Sequence, residues 1–141
     1  MSGLSSRLTV AAHILAFLAW RRGGRATSEE VARSVNTNPV VVRRLLGSMR
    51  EAGLVEMQPG AAGGALLARP AEEITLLDVY RAVEVEELFS LHARRPCPDC
   101  CVGANIQEVL WPALCRAERA MEAELGQVTV EAIRGEIEMR G

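Results

Sequence analysis

The chain has 141 residues, of which 49% are hydrophobic, enough to build one domain with its own core. No run of about 18 apolar residues is present to span a bilayer, and the amphipathic start does not resemble a secretory signal. These features exclude a membrane-spanning chain and predict a cytoplasmic protein. In that compartment the four cysteines are expected to be thiols or ligands rather than disulfides.

Charge divides the chain into two halves of opposite sign. Residues 1–70 contain nine arginines and four acidic residues, a balance of +5, whereas residues 71–141 contain seven arginines and fourteen acidic residues, a balance of −7. The overall charge of −2 conceals this division. A basic half favours nucleic-acid binding only where it coincides with a DNA-reading motif.

The first predicted element is an amphipathic helix that begins after Ser5 or Ser6 and ends by Gly23. Its apolar face, predicted to form core, consists of Leu8, Ala12, Leu15, Leu18 and Ala19. His13 on this helix is interpreted as an ordinary satisfied or solvated histidine. Arg7 stands at the start of the helix, where its side chain could reach a DNA backbone.

Residues 27–55 follow the order helix, polar turn, second helix and glycine exit, which is typical of a helix-turn-helix DNA reader. The first of these helices is predicted to have Ser28 as its N-cap. The second, residues 38–52, is predicted to have Asn38 as its N-cap and Pro39 as its first residue, where a missing N–H has no cost. Its predicted buried face consists of Val42, Leu45, Leu46 and Met49.

The opposite face of the second helix carries Arg43 and Arg44 early in the helix, where the helix dipole does not favour a cation. A phosphate group or the edge of a guanine base would explain both guanidinium groups. This helix also lies in the basic half of the chain. The residues predicted to contact DNA are Arg7, Ser28, Thr37, Asn38, Val40, Arg43, Arg44, Gly60, Gly63 and Gly64.

A β wing is predicted at residues 54–68, where two short strands flank a glycine-rich tip. The tip does not predict a phosphate-binding loop, because neither a Lys-Ser/Thr pair nor a helix follows it. The next helix is predicted to have Thr75 as its N-cap, with the side chains of Ile74 and Val79 stapling its first turn.

A helical repeat of apolar residues then runs from about residue 105 to 125, which is typical of a helix that packs against a second copy of the chain. Pro112 lies inside this repeat and is expected to kink or restart the helix. A final amphipathic helix is predicted at residues 129–139.

The predicted fold class is therefore mainly α with a small β wing, a winged helix-turn-helix followed by a long dimerisation helix. Three regions are expected within one compact domain. They are a DNA-binding region at residues 1–83, a cysteine-containing sensor loop at 84–104, and the dimerisation helix with the C-terminal helix at 105–141.

The predicted loop contains the spacing C-P-D-C-C, for which three interpretations stay open. The thiols are incidental in an inert loop, or they sense oxidants or electrophiles, or they hold a metal ion or an iron–sulfur cluster. The sensor residues in the second case are Cys97, Cys100 and Cys101. The candidate ligands in the third case are the same three cysteines and His92.

Two sequence features bear on this choice. Arg94 and Arg95 are close in sequence to the thiols and are expected to favour their reactive thiolate forms. Cys100 and Cys101 are adjacent, and adjacent cysteines rarely aim both sulfurs at one tetrahedral ion. Cys115, one turn after Trp111, is expected to be packed rather than reactive.

Four stretches of the chain, in their order and spacing, resemble the Rrf2 family of bacterial winged-helix regulators. They are V-A-R-S-V-N-T-N-P-V-V-V-R-R-L-L, A-G-L-V-E-M-Q-P-G-A-A-G-G-A-L-L-A-R-P, E-E-I-T-L-L-D-V-Y-R-A-V-E and C-V-G-A-N-I. The resemblance implies a homodimer that binds palindromic operators through the second helix and the wing, usually repressing transcription. It also implies a sensing region between the fourth helix and the dimerisation helix.

The chain departs from the family pattern in two places. Relatives that carry an iron–sulfur cluster space their three cysteines more widely, whereas the gaps here are two residues and none. Cys101 stands where cluster-less relatives keep a single cysteine, so Cys97 and Cys100 look like additions. Pro59 in the wing stands near where some relatives place an arginine that enters the minor groove.

The predicted function is a homodimeric DNA-binding transcriptional regulator, a repressor that reads a palindromic operator and is modulated by thiol redox chemistry. An iron–sulfur or metal-sensing regulator of the same fold is the alternative. A thiol–disulfide enzyme would use C-x-x-C, but no strand-loop-helix setting surrounds Cys97, and nothing predicts catalysis. A protein-interaction module built on the same fold is disfavoured by Arg43 and Arg44.

Overall fold

The computed structural model describes residues 5–61, 63–84 and 86–141. Within them the chain forms α-helices and a three-stranded antiparallel sheet of order β1-β3-β2, with 3-10 turns at Arg22–Gly24 and Ala71–Glu73. The helices are α1 (Arg7–Trp20), α2 (Ser28–Val35), α3 (Pro39–Glu51), α4 (Leu76–Val83), α5 (Cys101–Leu125) and α6 (Val130–Arg140). The strands are β1 (Arg25–Ala26), β2 (Val55–Gln58) and β3 (Gly64–Leu67).

Helix α1 lies at the centre of the core, where it packs against α2, α3, α4, α6 and β3. Four of its residues have no exposed surface: Ala11, Ile14, Leu15 and Leu18. Of the predicted face, Leu15 and Leu18 are buried, and Leu8 and Ala19 pack against the core while half-buried, as is Ala12. Because helices surround α1 on several sides, its buried surface is wider than the single stripe that periodicity predicts.

Helices α2 and α3 form the predicted helix-turn-helix. Thr27, not Ser28, is the N-cap of α2: the Thr27 hydroxyl accepts a hydrogen bond from the Glu30 N–H at 3.1 Å, and the Glu30 carboxylate accepts from the Thr27 N–H. This reciprocal capping box needs an acidic side chain three positions after the cap, which Ser28 lacks. The Asn38 cap of α3 and its four predicted buried residues are confirmed.

The wing is confirmed as strands β2 and β3, paired from Val55 opposite Leu67 to Gln58 opposite Gly64. Residue 62, at its tip, lies outside the described residues. The two-residue strand β1 adds to the other edge of β3, which the sequence analysis did not predict because so short a strand has no periodicity. Gly64 is required there, since a Cβ atom would lie 2.6 Å from the carbonyl oxygen of Ala26.

The starts of α4 and α6 are joined by a short antiparallel bridge between Thr75 and Thr129. The Leu76 N–H donates to the Val128 carbonyl, and the Val130 N–H donates to the Ile74 carbonyl, both at 2.8 Å. Each threonine also caps its own helix through its hydroxyl. The bridge therefore returns the chain to the core after α5, and α6 packs along α1.

Helix α5 begins at Cys101, four residues earlier than the predicted start at 105, and runs unbroken through Pro112. Of the two outcomes expected at Pro112, a kink or a restart of the helix, the restart was therefore wrong. The predicted loop at 84–104 contains the first turn of α5, and Val85 within it lies outside the described residues. No residue of α5 is buried, and no helix in the described part of the chain is long and apolar enough to cross a membrane.

The α4 cap predicts a defined loss of stability in acid. Burial desolvates the Asp78 carboxyl and acts to raise its pKa, but hydrogen bonds from Thr75 and the charge of Arg69 outweigh this, so the pKa is lowered from 3.8. A lowered folded-state pKa stabilises the fold above pH 3.8, and this contribution is lost as pH falls through the folded value. Urea titrations from pH 7 to pH 2.5 should show a shallower acid loss for Asp78→Asn than for the wild type.

The matched control is Asp99→Asn, which removes an exposed carboxylate in the loop before α5. Its stability curve should follow that of the wild type across the whole pH range. Equal acid slopes in the wild type and in Asp78→Asn would contradict the assignment.

Candidate nucleic-acid interface

The solvent side of α3 presents the residues predicted to read DNA. Val40, Arg43 and Arg44 are exposed, and Thr37 and Asn38 stand immediately before the helix. The Asn38 carboxamide oxygen accepts the Val40 N–H at 2.8 Å, which leaves the amide nitrogen to face a ligand. The capped start of α3 and its two arginines thus share one accessible edge.

Arg43 is already engaged with a neighbouring helix. Its guanidinium lies 3.2 Å from the Glu29 carboxylate in the first turn of α2. The pKa of Glu29 is lowered, first by a backbone hydrogen bond at the start of α2 and then by Arg43. Glu29 therefore holds the Arg43 side chain near α2 and competes with any phosphate for it.

Arg7 has a similar competitor. Its guanidinium lies 3.8 Å from the Glu84 carboxylate at the end of α4, and Ser5 donates a hydrogen bond to the same carboxylate at 3.1 Å. Ser28 is half-buried as the first residue of α2 and does not cap it. Neither residue lies on α3, so their predicted DNA contacts depend on how a duplex approaches the other helices.

The wing tip is closed by its glycines. Gly60 has a φ of 97°, and the Gly63 N–H donates to its carbonyl at 3.0 Å. A Cβ atom at Gly63 would collide with the carbonyl of Gln58. These glycines permit the close backbone approaches between β2 and β3, and Pro59 is exposed beside them.

Strand β1 places Arg25 on the edge of this sheet, opposite Leu66 of β3. Arg25 is not among the residues predicted to contact DNA. Its position depends on a pairing across about forty residues of chain that neither turn chemistry nor local periodicity encodes. The excess of arginine in residues 1–70 was the only available signal.

The cysteine-containing loop folds back onto the start of α5. Cys97, Cys100 and Cys101 are exposed, whereas Cys115 is half-buried, as expected for a packed residue. The Cys97 backbone approaches Gly103 so closely that a Cβ atom there would collide with the Cys97 carbonyl. Gly103 therefore permits the loop to lie against the helix.

Cys100 is the N-cap residue of α5. Its side chain does not complete a capping hydrogen bond of ordinary geometry, but the N–H groups of Gly103 and then of Val102 stabilise its thiolate and lower the pKa of the thiol. The cause differs from the one predicted, since these backbone donors, and not Arg94 or Arg95, produce the shift. A thiolate at a helix N-terminus also interacts favourably with the helix dipole.

A ligand set for a metal ion is not assembled around these thiols. In the described ranges, no three His, Cys, Asp or Glu side chains are grouped as metal ligands would be. His92, the fourth predicted ligand, has its Nδ1 atom 3.4 Å from the Gln107 amide nitrogen. The arrangement of these donors does not fit a cluster, and metal binding stays an untested prediction.

The capped reading helix, the three-stranded wing and the long exposed helix together define a winged helix-turn-helix protein. The sequence profile of the Rrf2 family, described as an iron-dependent transcriptional regulator, matches residues 4–136. The chain belongs to the Rrf2 family. It is a DNA-binding transcriptional regulator and not an enzyme.

Individual relatives agree with this assignment. YwnA of Bacillus subtilis (strain 168), to which an HTH-type transcriptional regulator role is assigned, is 42% identical over 131 residues, covering 92% of this chain and 96% of YwnA. A crystal structure described as a DNA-binding protein has 37% identity and a TM-score of 0.73, covering 91% of this chain and 98% of its own. CymR, the global cysteine regulator of B. subtilis, shares the fold at 23% identity and a TM-score of 0.69, covering 96% and 98%.

The Cys100 environment predicts selective thiol reactivity. In a Cys97→Ser/Cys101→Ser/Cys115→Ser variant, the rate of alkylation by iodoacetamide should rise with pH at a midpoint below the ordinary thiol value of 9.0, because the thiolate is the nucleophile. Mass spectrometry of wild-type protein quenched early should find Cys100 modified first.

A matched variant separates the two possible causes. Arg94→Gln/Arg95→Gln in the same background should keep the lowered midpoint, since backbone N–H groups produce it. A return of the midpoint to 9.0 in this variant would assign the effect to the arginines instead.

Proposed function

We propose that this regulator is a homodimer that binds a palindromic operator, with α3 in the major groove and the wing against the flanking backbone, and that it represses transcription. The observation that carries the proposal is the exposed edge of α3, where Asn38, Val40, Arg43 and Arg44 stand together. As a reader of chromosomal DNA, it would act in the cytoplasm.

Arginine side chains suit this role because their planar guanidinium groups donate two parallel hydrogen bonds to guanine or to a phosphate. Arg44 forms no ion pair with a carboxylate in the described part of the chain, and Arg43 is held only by the exposed Glu29. Both can therefore exchange to DNA at small cost. Val40 adds an apolar contact of the kind that a thymine methyl group accepts.

The exposed face of α5 supports the dimer. At steps of three or four residues, which keep to one side of a helix, its apolar positions are Val102, Ile106, Val109, Ala113 and Ala117. Val102 is 68% exposed and Val109 is 73% exposed, so a single copy of the chain leaves most of both side chains uncovered. A second copy of α5 would cover this stripe, and the small alanines would allow close approach of the two helices.

A two-fold dimer explains a palindromic operator. An isologous interface presents two identical reading helices, and each meets one half-site. The half-sites would be centred about 34 Å apart, or a multiple of that, if both helices enter major grooves on one side of the duplex.

Thiol chemistry is the proposed modulation. Cys100 combines exposure with a lowered pKa, and it stands at the hinge between the loop and α5. Oxidation or alkylation there changes the charge and size of the group at the start of the dimer helix. Such a change would alter the angle between the two reading helices without touching either of them.

The reading edge is tested by an Arg43→Ala/Arg44→Ala variant. If either arginine contacts guanine, operator affinity should fall by about 1 to 3 kcal/mol and one base position should become less discriminated. If the contacts are to phosphate, binding should weaken uniformly and its salt dependence should decrease. A gel shift series with a duplex selected from random sequences measures both.

Glu29→Gln is a matched variant that is expected to raise DNA affinity rather than lower it. It releases Arg43 and removes a negative charge from the edge, so affinity should rise by up to about fivefold. If the Arg43→Ala/Arg44→Ala variant is folded and still binds the operator like the wild type, the reading edge is wrong and the winged helix serves as an interaction scaffold.

The dimer is tested by Val109→Glu/Ala117→Glu, which places two carboxylates on the apolar face of α5. Burying them against a second copy is unfavourable, so sedimentation should report monomers and specific operator binding should be lost. Ala104→Glu, an exposed position on the other side of α5, is the control and should remain dimeric. Dimers in the double variant would rule out this interface.

A further inference from the structure

A groove of about 560 Å³ lies between α1, α2 and α6, away from the reading edge and from the cysteine loop. One wall is formed by the rings of Phe17 and Trp20, and the opposite wall by Ile133 and Ile137. This volume is typical of a site for a small organic molecule, which is usually apolar with few polar groups. Trp20 is 56% exposed and Ile137 is 49% exposed at its rim.

Three polar side chains line the groove, those of Thr9, His13 and Ser34. The His13 Nε2 atom lies 2.8 Å from the Ser34 hydroxyl oxygen, so the imidazole and the hydroxyl face each other across the junction of α1 and α2. The interpretation of His13 as an ordinary satisfied histidine therefore omits its position in a groove lined mostly by apolar side chains. A ligand oxygen could exchange hydrogen bonds with this pair.

A cavity with charged side chains adjoins the groove at Trp20. Trp20 also borders a second cavity, which is lined by Arg21, Arg22 and Glu138. Arg21 pairs with Glu30, and Glu138 pairs with Arg134. No carboxylate of the described residues lies within ion-pairing distance of the Arg22 guanidinium, which leaves this cation beside the aromatic wall to bind an anion.

We propose that this groove binds a planar aromatic carboxylate. The ring would lie between the Phe17–Trp20 wall and the two isoleucines, and the carboxylate would face Arg22 at the mouth. Aromatic side chains attract a further ring in offset or tilted arrangements, as Phe17 and Trp20 already pair with each other at a centroid distance of 5.9 Å and an interplanar angle of 44°. The charge at the mouth selects an acid over a neutral aromatic compound of the same size.

Two residues that line the groove, His13 and Phe17, are connected to α2, the first helix of the DNA reader. His13 contacts Ser34 near the C-terminal end of α2. At the other end, Arg21 lies 5.8 Å from the centroid of the Phe17 ring and pairs with Glu30, the capping-box residue of α2. An occupant therefore acts on both ends of α2, and this coupling to DNA rests on the operator-reading role proposed for α3.

The binding test uses 5-fluorotryptophan protein and 2-naphthoate, observed by ¹⁹F NMR. The chain has two tryptophans, so the Trp20 signal should move as 2-naphthoate is added while the Trp111 signal on α5 stays in place. Saturation is expected at roughly 0.1 to 1 mM, from the binding free energy per atom of ordinary small ligands. Equal shifts of both signals, or none, would overturn the site.

Two further probes test the chemistry. Cyclohexanecarboxylate lacks the aromatic ring and 2-naphthylmethanol lacks the carboxylate. Each should therefore bind more weakly than 2-naphthoate. Arg22→Gln should weaken the binding of 2-naphthoate by about threefold, the effect expected from losing an exposed ion pair, and leave the affinity for 2-naphthylmethanol unchanged. Equal loss for both compounds would show that Arg22 supports the fold of the groove rather than the carboxylate.

Ala12 lines the groove and is half-buried, so Ala12→Phe should fill it and abolish the Trp20 shift. Ala93→Phe adds the same bulk to an exposed loop residue and should leave the shift intact. If Ala12→Phe turns dimers into monomers, a second copy of the chain covers the groove and the proposal is wrong.

The coupling is measured separately, as the affinity for a selected duplex with and without saturating 2-naphthoate. A change of about fivefold or more in the wild type, absent in Ala12→Phe, is expected for an effector. If the wild type binds the duplex with the same affinity with and without 2-naphthoate, only the coupling is overturned. If the wild type does not bind the duplex even without 2-naphthoate, the operator-reading role is contradicted, while the ligand-binding result still stands.

Discussion

Burial of α1 is the constraint on which the rest of the structure depends. Ile14, Leu15 and Leu18 have no exposed surface, and each of the other core helices packs on some part of α1. Burying a leucine or isoleucine side chain fully contributes about 1.5 to 3 kcal/mol, so these three side chains together contribute about 4.5 to 9 kcal/mol. The position of α3 relative to α4 and α6 follows from their shared packing against α1.

Features encoded over a few residues could be predicted from sequence. The Asn38–Pro39 start of α3 and the Thr75 cap depend on residues within three positions of one another, and the wing pairs two strands that are neighbours in sequence. All three predictions are confirmed. The α2 cap was misplaced by one residue, because both Thr27 and Ser28 can cap a helix and only the partner at Glu30 distinguishes them.

Features that depend on distant contacts could not be predicted. The pairing of β1 with β3 and the contact between Arg43 and Glu29 join residues that no local pattern relates. The early start of α5 depends on Gly103 accepting the backbone of Cys97, a fit visible only in three dimensions. The groove beside His13 exists because α6 returns to α1, which follows from the bridge between Thr75 and Thr129.

That bridge also separates changes in the cysteine-containing loop from the stability of the fold. The hydrogen bonds at Leu76 and Val130 fix the two ends of the segment that contains the cysteine loop and α5. The entropy of closing such a segment increases only slowly with its length, so insertions and deletions before Cys97 cost the core little. Related chains can therefore acquire or lose thiols there while α3 keeps its packing against α1 and α4.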